Sequence, residues 1–252
     1  MCTVAFLAEA TGGYLLGHNR DESRSRSRGL PPTRLWAGDR TVLAPRDPDG
    51  GGVWIGVNDA GVTLCLLNAA EADASRLPPA PKSRGLVQAE ALHLDSIQTA
   101  VEHLARTRAV LDGVRAFHLV VVEPGTRGRP PRVGRFRWDG LRARWDHPVG
   151  PSSLFVSSSL DQAAAERERF ASWDRLLARE RSPDRDRLAR WLASHEPERG
   201  PLSVCMHRPE ARTVSRTLVR VSGATAEMAY VDGPPCRGVR ETVRRLPLLR
   251  LA

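Results

Sequence analysis

A cysteine stands at position 2, and five polar residues follow together at 18–22: His18, Asn19, Arg20, Asp21 and Glu22. Between them lie two apolar runs and the pair Gly12-Gly13. These residue types suit nucleophilic chemistry. The small side chain after Met1 allows ordinary removal of the initiator methionine, which leaves Cys2 with both a thiol and a free α-amine. Such an amine titrates near ~7.7–8.0, suitable for a general base at neutral pH. One residue then supplies nucleophile and base together. Arg20 can lower the thiol pKa, and Asp21 can orient the amine.

Both roles require residue 2 to meet residues 18–22. The apolar runs "CTVAFLA" and "GYLLGHN" flank Ala10-Thr11-Gly12-Gly13 and predict a hairpin. A turn centred at Thr11-Gly12 puts Cys2 opposite Asp21. A loop one residue shorter or longer puts Arg20 or Glu22 there instead. Directly paired side chains sit about 4.5–5.5 Å apart at Cβ.

The rest of the chain supplies the frame. "TVLAP", "GGVWIGVN" and "GVTLCLLN" read as further strands, the last two joined by Asn58-Asp59-Ala60-Gly61. Apolar spacing of three and four predicts helices near 84–93 and 96–107. "RAFHLVVVEP" is a strongly apolar strand, "RVGRFRWDG" and "LRARWDH" an exposed hairpin, and "LFVSSSL" another strand. Charged helices are expected near 161–180 and 184–194. The tail returns to strands in "LSVCMHR", "TVSRTLVRV" and "AEMAYVDG". Tight turns imply antiparallel pairing, so two antiparallel sheets with helices outside them are expected, in one domain over 1–252. "SRSRSRG" at 23–29 reads as a loop that lines an entrance.

Composition narrows the function classes. The formal net charge is +9, with a pI near 10.7. Lys82 is the only lysine, so the basic excess is arginine and reads as codon usage, with acids interspersed as in "AAAERERF". We expect no nucleic-acid partner, but a basic mouth for a small anionic substrate. No apolar run is long enough to span a membrane, and the N-terminus lacks the pattern of a signal peptide. A cytoplasmic protein is therefore expected. The four cysteines (2, 65, 205 and 236) have no zinc-motif spacing, and Cys65 reads as a core residue.

"MCTV" followed by "NRDE", "GGVWIGVNDAGVTLCLLN", "CMHRPEARTVSRTLVRV" and "YVDGPPC" together resemble the NRDE, or transport-and-Golgi-organisation, family. That family is similar to the N-terminal nucleophile hydrolases of the choloylglycine hydrolase and penicillin V acylase group. The resemblance implies an α+β fold, a four-layer αββα sandwich. It implies amide hydrolysis or acyl transfer with no cofactor, through Cys2 as nucleophile and Asp21 as the residue that orients the amine. Asn68 falls on the oxyanion-hole position and Arg216 on a late site arginine. The group has an arginine at the position of His18, a role that passes to Arg20, and an asparagine where "FVSSSLD" offers Ser158. The rival reading is a non-catalytic carrier of haem or a lipid-like ligand, with Cys2, His18, Cys205 and His207 as possible axial ligands.

Overall fold

Strand β1 (Cys2–Ala8) turns back on β2 (Tyr14–Ser23) through Glu9–Gly13. Gly12 has φ of +86° there, a left-handed conformation that glycine adopts without a Cβ clash. In the computed structural model, the described residues are 2–70, 75, 77–106, 111–126, 128–148, 150–179, 184–238 and 240–249. Met1 lies outside them, as do the expected helix ends Thr107 and Glu180.

The β1–β2 hairpin sits at the centre of a six-stranded antiparallel sheet. Its order is β10 (Ser152–Ser157), β1, β2, β11 (Ala211–Ser222), β12 (Thr225–Asp232) and β13 (Thr242–Pro247). The second sheet runs in chain order. Its strands are β3 (Leu30–Ala37), β4 (Arg40–Arg46), β5 (Ile55–Asn58), β6 (Thr63–Asn68), β7 (Phe117–Glu123), β8 (Arg132–Trp138) and β9 (Ala143–Asp146). The helices are α1 (Arg84–Ala91), α2 (Ile97–Arg106), α3 (Gln162–Arg179) and α4 (Arg185–Leu192).

Three buried clusters define four layers. Val4, Phe6, Leu16, Val57, Val120 and Met228 pack between the sheets. Leu64, Val121, Leu92 and Leu104 join the second sheet to α1 and α2. Ala5, Leu15, Leu218, Trp173 and Leu188 join the first sheet to α3 and α4. The fold is thus the expected αββα sandwich of two antiparallel sheets. Because side chains alternate across a strand, β1 sends Cys2, Val4 and Phe6 inward and Ala5 and Leu7 toward the helices. Burial on both faces explains why residues 2–8 are nearly all apolar.

Three expectations change. Residues 202–208, "LSVCMHR", form bends with one isolated bridge, His207 to Arg212, rather than a strand. Two strands, β3 and β13, lie where no alternation signalled them. Both are sheet edges, and Pro31 and Pro32 fall where the β3–β4 register shifts between Leu30 and Thr33, a break in the regular ladder that tolerates proline. Of "GGVWIGVN", only Ile55–Asn58 is strand; the glycines before it turn the chain.

Candidate functional site

The hairpin pairs Cys2 with Arg20, not Asp21. The loop is one residue shorter than a turn centred at Thr11-Gly12 requires, because the backbone closes between Glu9 and Gly13. On its other side Cys2 pairs with Ser157, whose hydroxyl oxygen accepts from the Cys2 backbone N–H at 2.9 Å. Cys2 is buried on the inner face and borders a cavity of about 270 Å³. Arg20, Trp54 and the half-buried Asn68 line the same cavity.

Arg20 is held on three sides. Its Nη2 lies 3.0 Å from Asp47 Oδ2 and 3.5 Å from Glu22 Oε2, and its guanidinium sits 4.3 Å from the Trp54 ring centroid. Asp47 Oδ2 also binds Arg26 Nη2 at 2.7 Å, so one carboxylate ties the strand arginine to the 23–29 loop. Arg26 lines the cavity, which agrees with that loop's place at an entrance. The Asp47 carboxylate is positioned by its own turn, its Oδ1 accepting from the N–H groups of Asp49 and Gly50. Gly52 then passes so close to Gly85 at the start of α1 that a Cβ would lie 2.3 Å from the Gly85 carbonyl carbon. This close approach closes one wall. Lys82, Arg84 and Arg115 add positive charge around it. A second cavity, about 480 Å³, shares Asp21, Asn68, Arg84 and Arg115 with the first.

Asp21 points to the other face. Its Oδ2 meets Arg169 Nη1 and Nη2 at 3.3 and 3.4 Å, and its Oδ1 accepts from the Thr213 hydroxyl at 2.6 Å. Arg169, on α3, also donates to the Thr3 hydroxyl. Asp21 and Arg169 are both about 1% exposed, a buried ion pair whose remaining polar atoms are satisfied. Asp21 also borders the cavity beside Cys2, so it serves both faces.

The sequence candidates divide accordingly. Cys2, Arg20, Asp21 and Asn68 border one cavity. Ser158 does not reach Cys2: it lies one residue past β10, where its hydroxyl accepts from Leu160 and Asp161 N–H at the approach to α3. Ser157 makes the contact instead. Arg216 is on the helix side of β11, donating to the Ala189 carbonyl and ion-paired with Glu241. Its register partner is Asn19, whose side chain donates to the Leu192 and Val204 carbonyls. The four haem-ligand candidates do not converge. Cys2 and His18 face the interior between the sheets, whereas Cys205 and His207 lie in the loop before β11. Sequence reading missed Asp47, Arg169 and Ser157. Only Asp47 carried a signal, the turn chemistry of "DPDGGG".

Burial pushes the Cys2 thiol above its ordinary value, and the Asp21 carboxylate adds to the rise. The Asp21 N–H and the Arg20 guanidinium pull downward without offsetting burial. The influence expected of Arg20 is therefore present but outweighed. Burial, with Arg20 nearby, also pushes His18 down to about 3, which keeps its ring neutral.

Comparison with known proteins agrees with this fold. Residues 1–132 match the family described as Transport and Golgi organisation 2. No curated protein matches the chain. A variant of the conjugated bile acid hydrolase from Clostridium perfringens superposes with a TM-score of 0.54 at 11% identity, over 97% of this chain and 92% of that one. A second variant of that hydrolase gives 0.53 at 11% identity, over 98% and 99%. The Caenorhabditis elegans ortholog of N-acylethanolamine-hydrolyzing acid amidase gives 0.49 at 11% identity, over 86% and 92%.

Proposed function

We propose, for a chain that belongs to the Transport and Golgi organisation 2 family, that Cys2 is the nucleophile of an amide hydrolase or acyltransferase acting on small anionic N-acyl compounds. The observation that carries this reading is the setting of Cys2. Its nitrogen is held by the Ser157 hydroxyl, while its side chain faces a cavity walled by Asn68. The bile acid hydrolases that share the fold cleave a conjugate, as their name states, and that supports an amide or acyl substrate here.

Removal of Met1 converts the Cys2 nitrogen from an amide to an amine at the same place. Burial keeps the thiol protonated until it attacks. The S–H proton then passes to the amine as sulfur bonds to the substrate carbonyl carbon. Asn68 is the proposed donor to the resulting oxyanion. Collapse breaks the C–N bond, and the ammonium on Cys2 returns its proton to the leaving amine. Water, or another acceptor, attacks the thioester and frees the thiol. Arg84, Arg115 and Lys82 favour a carboxylate on the substrate.

The test is a screen of N-acyl amino acids, acyl-homoserine lactones, penicillin V and conjugated bile acids against the mature protein and Cys2→Ala. Turnover by wild type alone supports the reading. Retention of Met1 in the mature protein, measured by intact mass, overturns it.

A further inference from the structure

Four side chains that sequence spacing keeps apart meet behind the loop before β11. His195 follows α4, Cys205 and His207 stand in the loop, and Cys236 lies in the short 3-10 turn Pro235–Arg237 after β12. Their ligand atoms all lie within 4.8 Å of one another, the one such group of histidine, cysteine and carboxylate side chains among the described residues. His207 Nε2 is 3.2 Å from His195 Nε2, 3.6 Å from Cys205 Sγ and 3.5 Å from Cys236 Sγ.

We propose that His195, Cys205, His207 and Cys236 form a structural zinc site. Zinc bonds of about 2.0–2.1 Å to nitrogen and 2.3 Å to sulfur, arranged tetrahedrally, set edges of about 3.3 Å between nitrogens and about 3.5 Å between nitrogen and sulfur. The three separations from His207 Nε2 match those edges. Hydrogen bonding does not account for them. One ring nitrogen carries either a proton or a lone pair, yet His207 Nε2 faces three polar atoms at once. A cation in the middle satisfies all four lone pairs. Each thiol gives its proton to solvent on coordination, and two thiolates with two neutral imidazoles make a neutral zinc complex. Arg199 Nη2 lies 3.4 Å from His207 Nδ1. With Nε2 on the metal, Nδ1 carries the proton, so this exposed arginine gives up that contact.

All four positions are filled by protein, which marks a structural site rather than a catalytic one. It would staple three segments: the end of α4, the loop before β11 and the turn after β12. That loop bears on Asp21. Met206 N–H donates to the Thr213 hydroxyl at 2.8 Å, the same hydroxyl that donates to Asp21. The ion would thus fix the outer support of Asp21 from behind the sheet.

The test uses the full chain, kept reduced, stripped by a chelator and titrated with Co²⁺ and then Zn²⁺. One Co²⁺ per chain should bind, with the intense visible bands of tetrahedral cobalt and thiolate-to-metal charge transfer, and Zn²⁺ should displace it. Stripping should lower Tm, and Zn²⁺ should restore it. Cys236→Ser, in a partly exposed turn, should weaken binding at least tenfold and reduce the charge-transfer band. His195→Ala should also weaken binding, and Cys65→Ala should not. A reduced wild-type chain that gives no tetrahedral spectrum overturns the proposal. So does unchanged binding in both Cys236→Ser and His195→Ala, or a Cys205–Cys236 disulfide whose reduction restores no metal binding.

Discussion

Cys2 and Cys205 are buried thiols on opposite sides of one sheet. Burial raises the pKa of both, that of Cys205 to about 12. Desolvation therefore does not separate the proposed nucleophile from the proposed ligand; the surroundings of the sulfur differ. Cys2 faces open volume, with an amide side chain on its wall and charge at the rim. A carbonyl could enter there. Cys205 faces His207, with His195 and Cys236 completing the group, so its space is already shared by lone pairs. Cys65 is the control that the molecule itself supplies. It is fully buried in β6 within the apolar core, and it lines neither the Cys2 cavity nor the four-residue group.

The strongest way to break this distinction is at Cys2. Cys2→Ala should abolish turnover while preserving substrate binding, since little area is lost. Cys65→Ala should leave turnover intact. Steady-state rates on any substrate found by the screen decide it, and residual wild-type-like activity in Cys2→Ala would remove the thiol from the mechanism.

Next in size is the buried pair behind Cys2. Arg169→Met leaves the Asp21 carboxylate without its cation, which should cost about 3–5 kcal/mol of stability. Urea unfolding measures it. A loss near zero would show that Asp21 takes up a proton or another partner at little cost. Asn68 has a smaller effect, confined to rate. Asn68→Ala should lower kcat by about 10²–10³ with KM little changed and the urea midpoint nearly constant. Lost stability with full kcat per folded molecule would make Asn68 a structural residue.

The same contrast explains what could be read from sequence. Cys2, Arg20 and Asp21 belong to one hairpin, and turn chemistry plus alternation brings them together locally. Asn68 came from the family resemblance, and it lines the same cavity as Cys2. Even in the hairpin, a one-residue change in loop length decided whether Arg20 or Asp21 opposed the thiol. Arg169 could not be inferred, because 148 positions separate it from Asp21 and its helix reads as a solvated charged face. The four-residue cluster was similarly hidden. Cys205 and His207 were visible as a pair, but His195 and Cys236 join them only through the packing of α4 and the turn after β12. The "LSVCMHR" segment looked like a strand because it is apolar. Its hydrogen bonds go instead to Ser194 and Gly200 carbonyls, which is what brings Cys205 and His207 beside His195.

The smallest expected effect concerns His18, the inner-face counterpart of His207. Its ring is fully buried, and neither nitrogen has a hydrogen-bond partner among the described residues. Its pKa is about 3, against an ordinary 6.5. Above pH 6.5 neither the folded nor the unfolded chain protonates this ring, so it adds no pH dependence. Between 6.5 and 3 the unfolded chain takes up a proton that the folded chain refuses. Stability therefore falls with pH across that window, by at most about 1.4 kcal/mol per pH unit. Below pH 3 both states carry the proton and the loss stops growing. His18→Leu removes this contribution and the unpartnered nitrogens with it. The acid limb should not vanish, because His118 is pushed down to about 4, chiefly by burial, and carries the same sign. It should become shallower by one proton. Urea unfolding at steps from pH 8 to pH 4 measures the slope. An unchanged slope in His18→Leu would mean that the buried ring is protonated in the folded protein, with a partner on the inner face beside Arg20.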